Sequence, residues 1–329
     1  MSTSPAPTDT LFTARCPEDI LALVPVVLGF VPDESVAMLT FGAPRPFHAR
    51  VDLPRDRDEI PAVVAALLDP ARRHRVRRAF FVLYSGDPRL SAALARALAR
   101  GFEQAGIEVV DALRSDGQRW YAVPRRAGVP AGGVPYDVSA HPFLAQSVVD
   151  GRVTHPSREG LRATVSGDPA RIGRVVAALA ALTGDPPRLV DEAAWAADLV
   201  DRHTREATAP DDHEVARLLR GMLELGVRDA AWSSMTRDRS SDHVRFWTDV
   251  VRRTPAPLLA APAALLGFAS WLAGQGALAW CALDRCQEAD EDYSLAGLVA
   301  HALTSALPPE SWDGDWDWTA GLGADPGPG

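Results

Sequence analysis

The residues with the clearest capacity for chemistry stand at the end of an apolar run. Ala79 to Tyr84 reads as a strand covered on both faces, and Ser85-Gly86-Asp87 follows it, directly ahead of a helical stretch. In open α/β sheets ligands bind outside the carboxyl ends of the strands, and backbone N–H groups at a helix start suit an anion. A helix start capped by Asp87 or Ser85 accounts for the same residues with no ligand. Arg119 opens a later strand, and Arg152 and Arg158 follow in the next segment. Arginine grips phosphate or carboxylate with two parallel N–H bonds. Ser85, Gly86, Asp87, Arg119, Arg152 and Arg158 therefore form the candidate ligand-binding set.

A second kind of recognition is written in Trp312-Asp313-Gly314-Asp315-Trp316-Asp317-Trp318. An acidic, aromatic tail can dock in a partner's groove, which makes Trp312, Trp316 and Trp318 candidate partner-binding residues. Folding back onto the chain's own helices is the competing reading. The arginine run from Arg72 to Arg78 suits an acidic partner or phosphate, and a basic helix C-terminus explains it equally well. Asp33, Glu34 and Asp52 stand at strand ends, but no spacing in the sequence brings them together.

Several chemistries are excluded outright. The chain has no Lys, so it cannot build a Walker-A phosphate loop, a kinase-type strand lysine or a Schiff base. It has no Asn, hence no N-glycosylation site. There is no G-x-S-x-G elbow and no H-E-x-x-H; His213-Glu214 lacks a second histidine. Cys16, Cys281 and Cys286 match neither a disulfide framework nor a zinc knuckle and suit a reducing cytoplasm. No metal and no cofactor is expected. A net charge of −9 argues against general affinity for nucleic acid.

The elements that must position these residues follow from pattern. At 329 residues, with 47% apolar and 23% charged residues, the chain has the length and composition of two globular domains. Residues 1–15 read as a disordered leader without the features of a secretory signal. A helix opened by Pro17-Glu18-Asp19, with Pro25 near its middle, ends at Gly29. The corner Pro32-Asp33-Glu34-Ser35 turns it into a strand from Val36 to Phe41, and Phe47 to Leu53 returns as a hairpin partner. A helix from Asp56 to Leu68 follows, and then the strand at 79–84, a helix to Gly106 and a strand from Ile107 to Leu113 make a βαβ unit with parallel pairing. Residues 16–123 are thus expected to form an α/β sandwich with a mixed sheet, and 124–140, rich in Gly and Pro, a linker. Residues 141–307 read as all-helical, with helical-hairpin character near the end, and 308–329 as a disordered acidic tail.

Two signals in the helical part have plainer explanations. Pro255 to Leu283 carries no charge over 29 positions, long enough to span a bilayer, but Gly274-Gln275-Gly276 breaks it and a buried hairpin fits better. Gly274 to Ala279 matches the dinucleotide fingerprint, yet helix rather than strand precedes it.

Several stretches together resemble a known family. They are Leu28-Gly29-Phe30-x-Pro32-x-Glu34-Ser35, Val51-Asp52-Leu53-Pro54, Arg119-Trp120-Tyr121 and Gly151-Arg152-Val153-x-x-Pro156-Ser157-Arg158-Glu159. Val227-Arg228-Asp229-Ala230, Trp247-x-x-Val250-Val251-Arg252-Arg253, Ala261-Pro262-Ala263-x-Leu265 and Tyr293-Ser294-Leu295-Ala296 continue the series. The pattern resembles the DUF4192 family, found mainly in actinobacteria, over about Cys16 to Trp312. The resemblance implies cysteines in many members where this chain reads Gly128 to Pro135 without one, and it implies no reaction or catalytic residue. Two functions of different class follow as expectations. One is a cytoplasmic, non-enzymatic adaptor that engages a protein partner through the helical part and tail, with self-association left open. The other is a small-molecule or nucleotide-type anion binder, or enzyme, at the sheet's carboxyl edge. Neither nucleic acid nor membrane is expected as a partner.

Overall fold

The corner at Gly29 is built by backbone geometry that few other residues accept. In a computed structural model that describes residues 13–42, 47–149, 153–183 and 187–312, Gly29 sits at φ 80° and donates its N–H to the Pro25 carbonyl at 2.8 Å. It thereby ends helix α1 (Pro17–Leu28) as a left-handed C-cap, where a side chain would be strained. Pro25 lies within α1 without ending it. Glu34, at φ 37°, completes the turn into strand β1 (Ser35–Phe41). The corner is closed from far along the chain, since Phe30 bridges His155 and the Val31 N–H donates to the His155 carbonyl at 2.9 Å.

The chain divides into two compact units, Met1–Gly160 and Leu161–Gly329. The first holds every described strand. After β1 come β2 (His48–Asp52), α2 (Ile60–Arg73), β3 (Arg78–Tyr84), α3 (Pro88–Gln104), β4 (Glu108–Ser115), β5 (Arg119–Ala122), β6 (Val134–Pro135) and α4 (Pro142–Val149). They build one mixed sheet in the order β2-β1-β3-β4-β5-β6, in which only β3 and β4 pair parallel. Period-two alternation explains the two cores. Val36, Met38, Phe81 and Leu83 face α2 and α3, while Ala37, Leu39, Phe80 and Val82 face α1. Each fully buried Leu or Phe, such as Leu98, Phe81 and Phe102, contributes roughly 1.5–3 kcal/mol, which favours a central β3 buried on both faces.

Two details depart from the reading of the sequence. Val134-Pro135, inside the stretch read as a linker, pairs with β5 through Trp120↔Val134 and Arg119↔Pro135. A two-residue strand has no periodicity to detect; the partner's edge creates it. Helix α4 packs on α1, and Phe143 joins the core on that face, so this segment belongs with the sheet.

Among the described residues the second unit is helical. The short α5 (Arg158–Ala163) spans the division, followed by α6 (Pro169–Ala181), α7 (Leu189–Glu206), α8 (Asp212–Gly221), α9 (Leu225–Trp232), α10 (Ser240–Arg253), α11 (Ala260–Leu272), α12 (Gly276–Gln287) and α13 (Ser294–Thr304). The uncharged stretch is the hairpin α11–α12, with Gly274 at φ 71° in its turn. A Cβ on Gly267 would meet the Leu283 side chain at 3.0 Å, so glycine there lets the two helices approach closely. No helix among the described residues is long and apolar enough to cross a membrane. Helix, not strand, precedes Gly274, so the dinucleotide fingerprint has no structural support.

Candidate functional site

Parallel pairing of β3 and β4 puts Ser85 and Ser115 side by side at the carboxyl edge of the sheet, where the Ser85 N–H donates to the Ser115 carbonyl at 2.8 Å. Ser85-Gly86-Asp87 is a capped helix start. One Asp87 carboxylate oxygen accepts the N–H groups of Arg89 (2.7 Å) and Leu90 (3.1 Å), and the Ser85 hydroxyl accepts the Asp87 N–H at 3.0 Å. The Leu90 and Arg89 amides hold the Asp87 carboxyl below its ordinary range. The donors that an anion would need are thus occupied by the chain's own carboxylate.

Arg119 sends its guanidinium away from that loop, to the carbonyls of Gly132 (3.3 Å) and Gly133 (3.2 Å). Arg158 opens α5, and its neighbour Glu159 feels the positive charge of Arg50 on β2. β2 lies four strands from β5, which carries Arg119, roughly 19 Å at the usual inter-strand spacing. Arg152 falls outside the described residues, as do Trp316 and Trp318.

The arginine that does reach Ser85 is Arg114, which the sequence reading passed over. It is 6% exposed, donates from Nη1 to the Ser85 carbonyl at 2.8 Å and stacks 3.8 Å from the Tyr121 ring centroid. The Tyr121 hydroxyl in turn donates to Asp116 at 2.8 Å. Partial burial pushes the Asp116 carboxyl up, but the Tyr121 hydroxyl, the Arg119 and Gln118 amides and the Arg114 charge together hold it below its usual range. On the opposite face of the same edge, antiparallel register sets Ser35 beside Tyr84. Both hydroxyls are buried and find no hydrogen-bond partner among the described residues, and burial pushes the Tyr84 phenol far up. Beside them Ser115 Oγ and the Tyr136 hydroxyl share a hydrogen bond of 2.7 Å.

At the corner, Asp52 and the Asp33 backbone are linked through Arg50 rather than by paired carboxylates. Ser35 pairs with Asp52, Arg50 bridges Asp52 at 2.6 Å, and Arg50 also reaches the Asp33 carbonyl. Among the described residues no group of three His, Cys, Asp or Glu side chains could hold a metal ion. In the helical unit a shallow cleft of about 460 Å³ is lined by Arg174, Ala177, Ala178, Asp211, Asp212 and His213. Of its charges, Asp212 accepts from Arg174 at 2.8 Å and from Arg253 at 3.2 Å, and Asp211 caps α8 by accepting the Glu214 N–H at 2.8 Å.

Trp312 folds back. Its ring stacks on Trp232 (centroids 5.5 Å apart, 30° between planes) and meets Phe268 edge-on at 4.9 Å. The segment before it is fastened as well, because the Trp271 indole N–H donates to the Leu307 carbonyl at 3.0 Å and Arg237 pairs with Glu310 at 2.8 Å.

These blocks are the ones that carry the family pattern: the Gly29 corner, the Asp52 strand, the Arg119-Trp120-Tyr121 strand, and the Arg228, Arg253 and Tyr293 segments. A family model described as Domain of unknown function (DUF4192) matches residues 17–310. The chain belongs to the DUF4192 family. No curated protein and no solved structure matches it. Two DUF4192 segments far apart in sequence meet directly, as Arg228 reaches the Tyr293 hydroxyl at 3.4 Å while its other nitrogens grip Asp229.

Proposed function

We propose that the chain is a non-enzymatic adaptor or regulatory protein of the cytoplasm, with the two units as separate domains, and that it engages a protein partner through the helical unit and its Trp-Asp tail. The observation that carries this reading is the seat of Trp312 on Trp232 and Phe268. It seats the residue that opens the Trp-Asp stretch on the helical unit. Leu223 (66% exposed) and Leu225 (62%), at the turn between α8 and α9, add apolar surface of the kind a partner covers. The anion-binding reading is weaker on this geometry, because Asp87 fills the N-terminus of α3 and Arg119 is spent on the Gly132 and Gly133 carbonyls.

The test compares the full chain with a double variant, Trp316→Ala and Trp318→Ala, by cross-linking and capture from host lysate. Cutting at Pro308 would also strip the helical unit of the Trp312 and Glu310 contacts; the double variant spares both. The expected outcome is a protein recovered by the full chain and lost in the variant. An identical set from both would count against the tail's role.

A further inference from the structure

The run Arg72-Arg73-His74-Arg75-Val76-Arg77-Arg78 joins α2 to β3. Arg72, Arg73, Arg75, Arg77 and Arg78 are all exposed. Among the described residues none of the five lies within salt-bridge reach of an Asp or Glu, whereas Arg50 and Arg126 in the same unit are so paired. The backbone beneath them is held. His74 N–H donates to the Pro70 carbonyl (2.9 Å), Arg75 to Arg72 (3.1 Å) and Val76 to Ala71 (3.0 Å), and the Val76 side chain is buried at 5% exposure. Arg75 turns the chain at φ 53°. A Cβ placed on Gly42 would lie 3.3 Å from the Arg77 Cβ, so the base of Arg77 rests against the end of β1.

The negative end of the α2 dipole accounts for Arg72 and Arg73, which sit in its last turn. It does not account for Arg75, Arg77 and Arg78, which lie beyond the helix. Five like charges within seven residues, on a chain whose net charge is −9, reverse the local field.

We propose that this run is a docking surface for a short acidic segment of a partner protein, one with several Asp or Glu side chains in sequence. Guanidinium forks match carboxylates two bonds at a time, and a preset backbone lowers the ordering cost. A short segment ends where the patch ends. Duplex DNA continues, at one charge per roughly 1.7 Å, across the surface of a net-negative protein. The surface lies in the first unit and is independent of the tail.

The experiment titrates full-length protein into fluorescein-labelled octaglutamate and follows anisotropy in about 50 mM and about 300 mM salt. A variant combining Arg72→Gln, Arg73→Gln, Arg77→Gln and Arg78→Gln is run alongside, with a labelled duplex of about 20 base pairs and phosphatidylserine vesicles as competing probes. Binding of the peptide that weakens at least about tenfold in the variant and again at higher salt is the expected result. No peptide binding, equal binding by the variant, or tighter binding of the duplex or the vesicles would each overturn the proposal.

Discussion

The two units treat the same residue in opposite ways. Arg220 and Arg252 aside, every described arginine from Arg162 onward lies within salt-bridge reach of an Asp or Glu. Several of these pairs are largely withdrawn from water, as with Arg253 (4% side-chain exposure), held by Asp212 and Asp249. In the sheet-bearing unit the arginines of the 72–78 run stand exposed without such partners. A chain without lysine has assigned arginine to both tasks. In the helices it ties element to element, where forked geometry and retained charge matter. Between α2 and β3 it is left outward. Electrostatics is therefore internal and structural in the helical unit and, along the 72–78 run, external in the other.

Breaking an internal pair should show the largest effect. Glu192 on α7 is 5% exposed, and Arg217 on α8 grips both its oxygens, with Nη2 to Oε2 at 2.7 Å and Nε at 3.1 Å from each. The Arg217 guanidinium also lies 3.9 Å from the Trp195 ring centroid. Arg217→Met removes the charge and leaves the buried carboxylate without a cation, which costs about 3–5 kcal/mol. Urea unfolding should show the midpoint fall accordingly. A loss below about 1 kcal/mol would mean these pairs are no more structural than ordinary surface ones, and the contrast between units would collapse.

Acid should act on the helical unit at a similar scale. His243 on α10 is fully buried; burial, with Arg239 adding to it and Asp242 and Asp201 opposing, pushes its pKa down to about 4. The unfolded chain takes up this proton near its ordinary value of about 6.5, while the folded chain refuses it until about 4. Stability is thus lost as pH falls through that window, by about 3 kcal/mol at its lower end. Denaturant midpoints of the native chain and His243→Leu, taken at several pH values across the window, should converge or cross toward acid. Parallel curves would remove His243 as the cause.

How far the sequence carried can be seen residue by residue. The strand from Val36 was legible because alternation sorts Val36 and Met38 from Ala37 and Leu39, and the start of α3 because Pro88 follows a capping Asp87. Boundaries set by tertiary contact were not. Within the stretch read as all-helical, α8 stops at Gly221, where an added Cβ would meet Val227 and Glu192, and a new helix starts at Leu225. Arg114 escaped notice because its partner, Tyr121, is set by antiparallel register rather than by spacing. The orphaned pair Ser35 and Tyr84 is likewise a product of register. Composition exposed Trp312 as unusual, but only packing decides whether such a residue turns inward, as it does onto Trp232.

The smallest expected effect is the most informative about the outward arginines. Combining Arg72→Gln, Arg73→Gln, Arg77→Gln and Arg78→Gln removes four charges and breaks no ion pair among the described residues. Glutamine keeps the first methylenes of each stem, including the part of Arg77 that rests beside Gly42. The loss of dipole pairing at the end of α2 is offset in part by relief of repulsion among neighbouring like charges. Unfolding stability should therefore move by less than about 1 kcal/mol. If the variant instead lost several kcal/mol in a urea titration, the run would be structural after all, and arginine would serve one purpose in both units.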